Sequence, residues 1–357
     1  MWASGIQQKI LFNYMILISF LTVFVFSLSG SVQAQMIKGE RDEAFLIWLD
    51  GVEKEALEKG ISQKTLDLVL PTISPLEKIV KQDRSQPEVK QTYARYLKLR
   101  VSDWRKSKGP ELLKKHEEIF TEVEEHYGVQ RRFIAAIWGA ETNYGTFPLT
   151  ISVFDAVATL AYDKRRAKRF RRELFAALKI LDQGHLTLED MKSSWAGAMG
   201  QVQFMPENYL KFAKDHNKDG YADIWESYED VFASVAVYLN AYGWRNDITW
   251  GRKVKLPKGG EEGLPAAQAE GLTPAKHCKA YKSMGAWRKL SEWQKLGIRR
   301  EGGEDLPTRD LKAALIIGDK GDDMGYLVYS NFCSIMRYNP SFKYALAIGL
   351  LSDAIAK

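Results

Sequence analysis

From Glu40 to Trp244 the apolar residues of this chain return at intervals of three and four, a rhythm that packed helices satisfy and strands do not. Phe45, Trp48, Leu49 and Val52 begin it, with Gly60 as a stop, and Tyr93, Tyr96, Leu97 and Val101 form a second stripe. Pro71, Pro75 and Pro87 cut this region into short pieces, and strand signals are absent as far as about His126. Further on, Val153, Val157, Leu160 and Ala161, then Phe170, Leu174, Ala177 and Leu178, line two more helical faces.

The rhythm breaks between Thr249 and Leu306, where Gly, Lys, Glu and Pro take over. Arg252–Leu256, Ala314–Ile317 and Tyr326–Tyr329 lean towards β structure, and Phe342–Ile355 returns to an apolar helix. At 357 residues the chain is too long for one small domain, and no internal repeat appears. The expected fold is mainly α (α+β). Its parts are a helical N-terminal domain over 35–126, a core over 127–248, a small β-containing insertion over 249–325, and a return to the core over 326–357.

Residues 1–34 stand apart: Lys9 is their only charge, an apolar run follows from Ile10 to Leu28, and Val32-Gln33-Ala34 resembles a cleavage site. The segment reads as an export signal. Its run is nearly long enough to span a bilayer, so an uncleaved inner-membrane anchor is the second reading, which Asn13, Ser19 and Thr22 weaken. A lipoprotein signal needs a cysteine at the cleavage point, and the only cysteines are Cys278 and Cys333, so that route is excluded. In an exported chain these two could pair or remain free; spacing does not decide it. Removal of the signal takes away one lysine, leaving 50 basic against 45 acidic residues. The basic surplus points to an anionic partner, and export argues for a cell-wall polymer over nucleic acid.

The segment QRRFIAAIWGAETNYG, Gln130–Gly145, places Phe133, Ile134, Ile137 and Trp138 on one stripe, and Glu141 falls on the same stripe. Gly145 follows closely as a stop, which sets the acid in the last turn, at the negative end of the helix dipole. Burial and dipole both favour the protonated form, and a carboxyl kept protonated near neutral pH can act as general acid and then general base on a glycosidic bond. The competing reading is a structural ion pair or a solvated helix end. Asp155, the nearest acid downstream, is read as a helix cap.

The loop SWAGAMGQVQFMP, Ser194–Pro206, has Gly197 and Gly200 for close backbone approach, Gln201 and Gln203 as amides, and Trp195 and Phe204 as rings for sugar faces; its plainer reading is a glycine-punctuated turn with packed aromatics. DHNKDGYADIWE, Asp215–Glu226, has EF-hand spacing: Asp215, Asn217, Asp219, Asp223 and Glu226 at positions 1, 3, 5, 9 and 12, Gly220 at 6, and the Tyr221 carbonyl at 7. Calcium is the cation this oxygen set suits, the alternative being a metal-free acidic turn. With no second such loop in the sequence, a structural brace is expected rather than a sensor.

Four motifs in order resemble the membrane-bound lytic murein transglycosylase B family across nearly the whole mature chain: DRSQPE at Asp83–Glu88, YGVQRRFIAAIWGAETNYG at Tyr127–Gly145, AGAMGQVQFMP at Ala196–Pro206 and RYNPSFKYALAIGLLSD at Arg337–Asp353. The resemblance implies a lysozyme-like catalytic core and an enzyme that cuts the MurNAc-GlcNAc β-1,4 bond of peptidoglycan, leaving 1,6-anhydroMurNAc ends. It implies Glu141 as the acid/base, with Ser194, Gln203, Tyr238, Tyr338, Asn339, Tyr344 and, less directly, Tyr96 along the substrate, and the Arg165-Arg166 pair near peptide stems, where a solvated helix face is the alternative. Glu207 and Val237 depart from the family pattern without touching the acid. No organic cofactor is implied. A periplasmic monomer acting on glycan strands is expected, with a lysozyme-type hydrolase or a non-catalytic calcium-dependent wall-binding protein as the competing functions. Most glycosidases use two carboxylates, but an internal hydroxyl held near the reacting carbon gains an intramolecular advantage that can replace a positioned water.

Overall fold

The computed structural model describes residues 38–84, 91–260, 264, 278, 284, 287–319 and 321–356, so residues 1–34, read from the sequence as an export signal, and most of the DRSQPE motif lie outside the described residues. Among the described residues no helix is long and apolar enough to cross a membrane.

Side-chain caps start many of the helices. Asp42 accepts from the Phe45 amide at 2.8 Å to begin α1 (Glu43–Glu58), and Gly60, at φ +80°, follows its end. Ser62 caps α2 (Gln63–Val69), Thr92 caps α4 (Tyr93–Arg100) and Ser102 caps α5 (Asp103–Lys115). α3 (Glu77–Arg84) lies between the proline-broken turns, with Pro71 in a single 3-10 turn. α6 (Glu117–Tyr127) ends on left-handed Gly128, and α7 (Arg131–Thr142) follows, buried over most of its surface.

β1 (Ile151–Ser152) pairs antiparallel with β2 (Lys192–Ser193), and between them α8 (Val153–Tyr162) packs along α9 (Ala167–Asp182). α10 (Pro206–Phe212) and α11 (Tyr228–Ala241) flank the acidic loop. Asp155 proves not to be a cap: from the first turn of α8 its buried carboxylate accepts from the Ser74 amide at 2.8 Å and pairs with Lys38 at 3.2 Å, tying the N-terminal region to the core.

Among the described residues the insertion forms a five-stranded antiparallel sheet ordered β4-β6-β7-β3-β5: β3 Gly251–Lys255, β4 Trp287–Lys289, β5 Arg299–Arg300, β6 Lys312–Ile317 and β7 Met324–Val328. With α12 (Leu290–Lys295) it builds its own core from Val254, Leu256, Leu290, Trp293, Ile298, Leu306 and Leu327. Tyr326–Tyr329, read from the sequence as opening the C-terminal part of the core, instead closes this sheet, because β7 pairs with both β3 and β6.

α13 (Ser330–Tyr338) and α14 (Phe342–Ile355) then return, and α14 packs on α7, α5 and α4. Gly349 makes room for the sheet: a Cβ there would stand 2.2 Å from the Trp250 ring. Trp250 Nε1 donates to Asp353 at 3.0 Å, and Arg132 donates to the other oxygen of the same carboxylate at 2.5 Å, so α7, α14 and the start of the sheet share one acid. Cys278 and Cys333 form a disulfide, Cα atoms 5.4 Å apart, that staples the insertion to α13.

Candidate active site at the end of the buried helix

α7 is apolar almost all round, with Phe133, Ile134, Ile137 and Trp138 each at most 1% exposed; each such side chain stabilises the fold by about 1.5–3 kcal/mol. Glu141 comes in its last turn, partly buried. Asn143, Tyr144 and Gly145 then adopt left-handed φ of 51°, 59° and 75°, an arrangement that needs support at its two non-glycine positions. Arg105 supplies it: Nε donates to the Gly139 carbonyl at 2.9 Å, Nη2 to Asn143 Oδ1 at 2.6 Å, and Nη1 to the Leu99 and Arg100 carbonyls. Tyr144 covers Gly139, where a Cβ would approach the ring to 2.5 Å, and donates to the Arg105 carbonyl at 2.8 Å.

Across from this turn, α14 presents Tyr344, whose hydroxyl donates to Glu141 Oε1 at 2.5 Å. Burial, with the Glu141 carboxylate beside it, holds the Tyr344 phenol well above its ordinary pKa, so it stays a donor. Burial and then Glu141 do the same to Tyr338, which donates to the Val202 carbonyl at 2.6 Å. Tyr238 donates to the Arg337 carbonyl at 2.5 Å and packs 4.8 Å from Tyr338, ring centre to ring centre. Tyr96 is 2% exposed and within electrostatic reach of Tyr344, whereas Asn339 ends α13, partly buried.

The glycine loop corrects several expectations. Phe204 is 1% exposed, wedged between Tyr238 and Tyr338, so it is a core ring and not a stacking platform; Trp195 stays partly exposed. Gly197 and Gly200 serve packing: a Cβ would meet Val157 Cγ1 at 2.4 Å or the Ile224 carbonyl at 2.6 Å. Gln201 spends both ends of its amide inside the protein, accepting from Trp138 Nε1 at 2.7 Å and donating to the Trp225 carbonyl at 2.6 Å. Gln203, at φ 52°, donates to the Gly200 carbonyl at 3.1 Å, and the Ser194 amide donates to Ala198 at 2.8 Å, closing the loop near its partly exposed hydroxyl.

Arg165 and Arg166 both pair with Asp83, which is 2% exposed, and Arg165 also donates to its carbonyl at 2.8 Å. The pair therefore neutralises a buried carboxylate, although the Arg165 side chain remains 45% exposed. Glu173 is another buried acid; burial raises its pKa, and it accepts from the Glu207 amide at 2.9 Å, capping the start of α10.

In the acidic loop the gathered carboxylates are those of Asp215, Asp219 and Asp230, with oxygens within 4.8 Å of one another. Asp230, in the first turn of α11, lies beyond the twelve-residue motif and so was missed; its carboxylate also accepts from the His216, Asn217 and Asp223 amides. Glu226 and Asp223 stand outside that trio. Asp223 accepts from the Trp225 and Glu226 amides, and Glu226 lines a cavity of about 510 Å³ with Thr142, Phe147, Gln201 and Trp225. α11 starts at Tyr228, which sets Asp230, in its first turn, among the loop carboxylates.

The Transglycosylase SLT domain family model matches residues 44–353. Membrane-bound lytic murein transglycosylase B of Escherichia coli (strain K12) is 30% identical over 312 residues, 86% of this chain and 79% of that protein. A crystal structure of SltB3 from Pseudomonas aeruginosa in complex with NAG-anhNAM-pentapeptide superposes with a TM-score of 0.78 at 36% identity, covering 88% of this chain and 80% of the other. Escherichia coli Slt35 in complex with calcium gives a TM-score of 0.69 at 26% identity, over 85% and 91% of the two chains.

Proposed function

The chain belongs to the Transglycosylase SLT domain family and is a lytic transglycosylase of peptidoglycan, and from this premise we propose that Glu141 is its one proton-transferring group. The observation that carries the assignment is the contact of Glu141 with Tyr344, a buried phenol held protonated beside a carboxyl in the last turn of a buried helix. The protonated acid gives its proton to the oxygen leaving C1 of MurNAc. The carboxylate then takes the proton of that sugar's own 6-hydroxyl as its oxygen bonds to C1, closing the 1,6-anhydro ring with no water consumed. SltB3 bound to NAG-anhNAM-pentapeptide, which carries such an end, supports this course over hydrolysis. Tyr344 contacts the acid, Tyr338 lies within its electrostatic reach and Tyr238 packs on Tyr338; Ser194, Gln203, Asn339 and Tyr96 are assigned to the substrate on the strength of the family motifs. Digestion of purified sacculi followed by mass spectrometry of the new ends tests the reaction. Anhydro ends are expected; reducing ends would mean a hydrolase, and no soluble fragment a wall-binding protein.

Lys9, the apolar run Ile10–Leu28 and Val32-Gln33-Ala34 support a periplasmic site of action, where this substrate lies.

The acidic loop suits calcium. Its donors are all oxygens, Asp215 Oδ1 is buried with no hydrogen-bond partner, and three converging carboxylates repel one another unless a cation sits among them. Asp215, Asp219 and Asp230 would hold the ion, with Asn217 and the Tyr221 carbonyl beside them, bracing the segment between α10 and α11. Addition of calcium at about a hundred times its Kd should raise stability by about 2.7 kcal/mol, and a chelator should reverse it. A melting curve unchanged by either would dismiss the site.

A further inference from the structure

Gln201 joins two parts of the molecule that share no chain continuity. Towards α7, its Oε1 accepts from Trp138 Nε1 at 2.7 Å and its carbonyl from Thr142 Oγ1 at 2.8 Å. Towards the acidic loop, its Nε2 donates to the Trp225 carbonyl at 2.6 Å and its amide to the Ile224 carbonyl at 2.8 Å. Gly145 is shaped for it, since a Cβ there would come within 2.3 Å of Gln201 Oε1, and the Gly145 amide donates to Thr142 Oγ1 at 3.1 Å. Trp138 and Thr142 bracket Glu141, three residues before it and one after, and both are at most 1% exposed.

We infer that Gln201 is a positioning residue for the reaction: its side-chain oxygen and carbonyl hold the last turn of α7 so that the Glu141 carboxyl meets the scissile oxygen. The inference rests on Glu141 being the acid. Both ends of the Gln201 side-chain amide are spent on Trp138 and Trp225, so it acts through the helix and not on the reacting atoms. A buried indole N–H without its acceptor would draw water or shift the turn, and a small displacement of a proton donor lowers the rate far more than it weakens binding.

Two variants separate positioning from plain support. Gln201→Met keeps the length and removes both side-chain bonds; Gln201→Glu keeps the acceptor for Trp138 and loses the donor to Trp225. We expect Gln201→Met to lower kcat about ten- to hundredfold with KM within about twofold, and Gln201→Glu to retain kcat within about threefold, although both lose the side-chain bond to the loop. The inference is overturned if Gln201→Met keeps kcat while only its Tm falls, or if both variants lose kcat in step with Tm. Should Gln201→Met not fold, Thr142→Val removes the second tie to α7 and is read against the same split of kcat and KM. The underlying assignment fails on a different result, retained activity in Glu141→Gln.

Discussion

Glu141→Gln leaves the protein folded and able to hold glycan, with cleavage of sacculi reduced by about 10³- to 10⁴-fold or more. A positioned acid or base alone contributes about 10²- to 10⁴-fold, and here one carboxyl serves as both. The amide has nearly the same shape and still accepts the Tyr344 hydrogen bond now made to Oε1 at 2.5 Å, so the pocket and its phenols keep their arrangement. The measurement is release of soluble muropeptides per unit time beside a melting curve and a sacculus pull-down. Activity within tenfold of the parent, with the fold intact, would remove Glu141 from the mechanism. Loss of activity together with collapse of the melting transition would count against it too, since the argument requires that only the proton be lost.

Replacing Cys278 and Cys333 together by alanine lowers stability by about 4 kcal/mol on the chain-entropy account, because the bond closes a loop between cysteines 55 positions apart in an unfolded chain that is otherwise unconstrained. Alanine is the suitable replacement: both thiols are fully buried, and a serine hydroxyl there would add a desolvation penalty of its own. Denaturant unfolding measures the change, and the reduced parent should match the double variant. Since Cys333 lies in α13, which ends at Tyr338 beside the acid, the weaker staple should also raise KM for sacculi. Identical midpoints for oxidised, reduced and double-alanine protein would show that the bond constrains neither the insertion nor the helix.

Much of the candidate site is legible because its signals are local. An acid on the apolar stripe of α7 is visible from a spacing of three and four residues, and Asp215, Asn217, Asp219 and Gly220 mark an oxygen-rich loop within a dozen positions. What local sequence leaves open concerns partners rather than elements. Arg165 and Arg166 read as lying near peptide stems or on a solvated helix face, and only the fold shows Asp83, some eighty residues earlier, paired with both. Phe204 reads as a sugar platform until Tyr238 and Tyr338 close over it. Asp230 joins the carboxylate trio from the first turn of α11, beyond the twelve-residue spacing, and Gln201 reads as an amide open to a ligand until the acidic loop folds back on it.

Helical rhythm, the apolar setting of Glu141, the oxygen-rich loop and the change of composition at Thr249 were set by the sequence alone, because each depends on residues within a few turns of one another. That Tyr344 meets Glu141 across 203 positions, that Asp83 answers two arginines, and that Tyr326–Val328 pairs into the insertion's sheet were decided only in three dimensions. The periodicity of a helix states which face it buries and not against what. The opposing residue is chosen by how whole elements stack, and that depends on packing volume and on polar groups that must find partners once water is excluded.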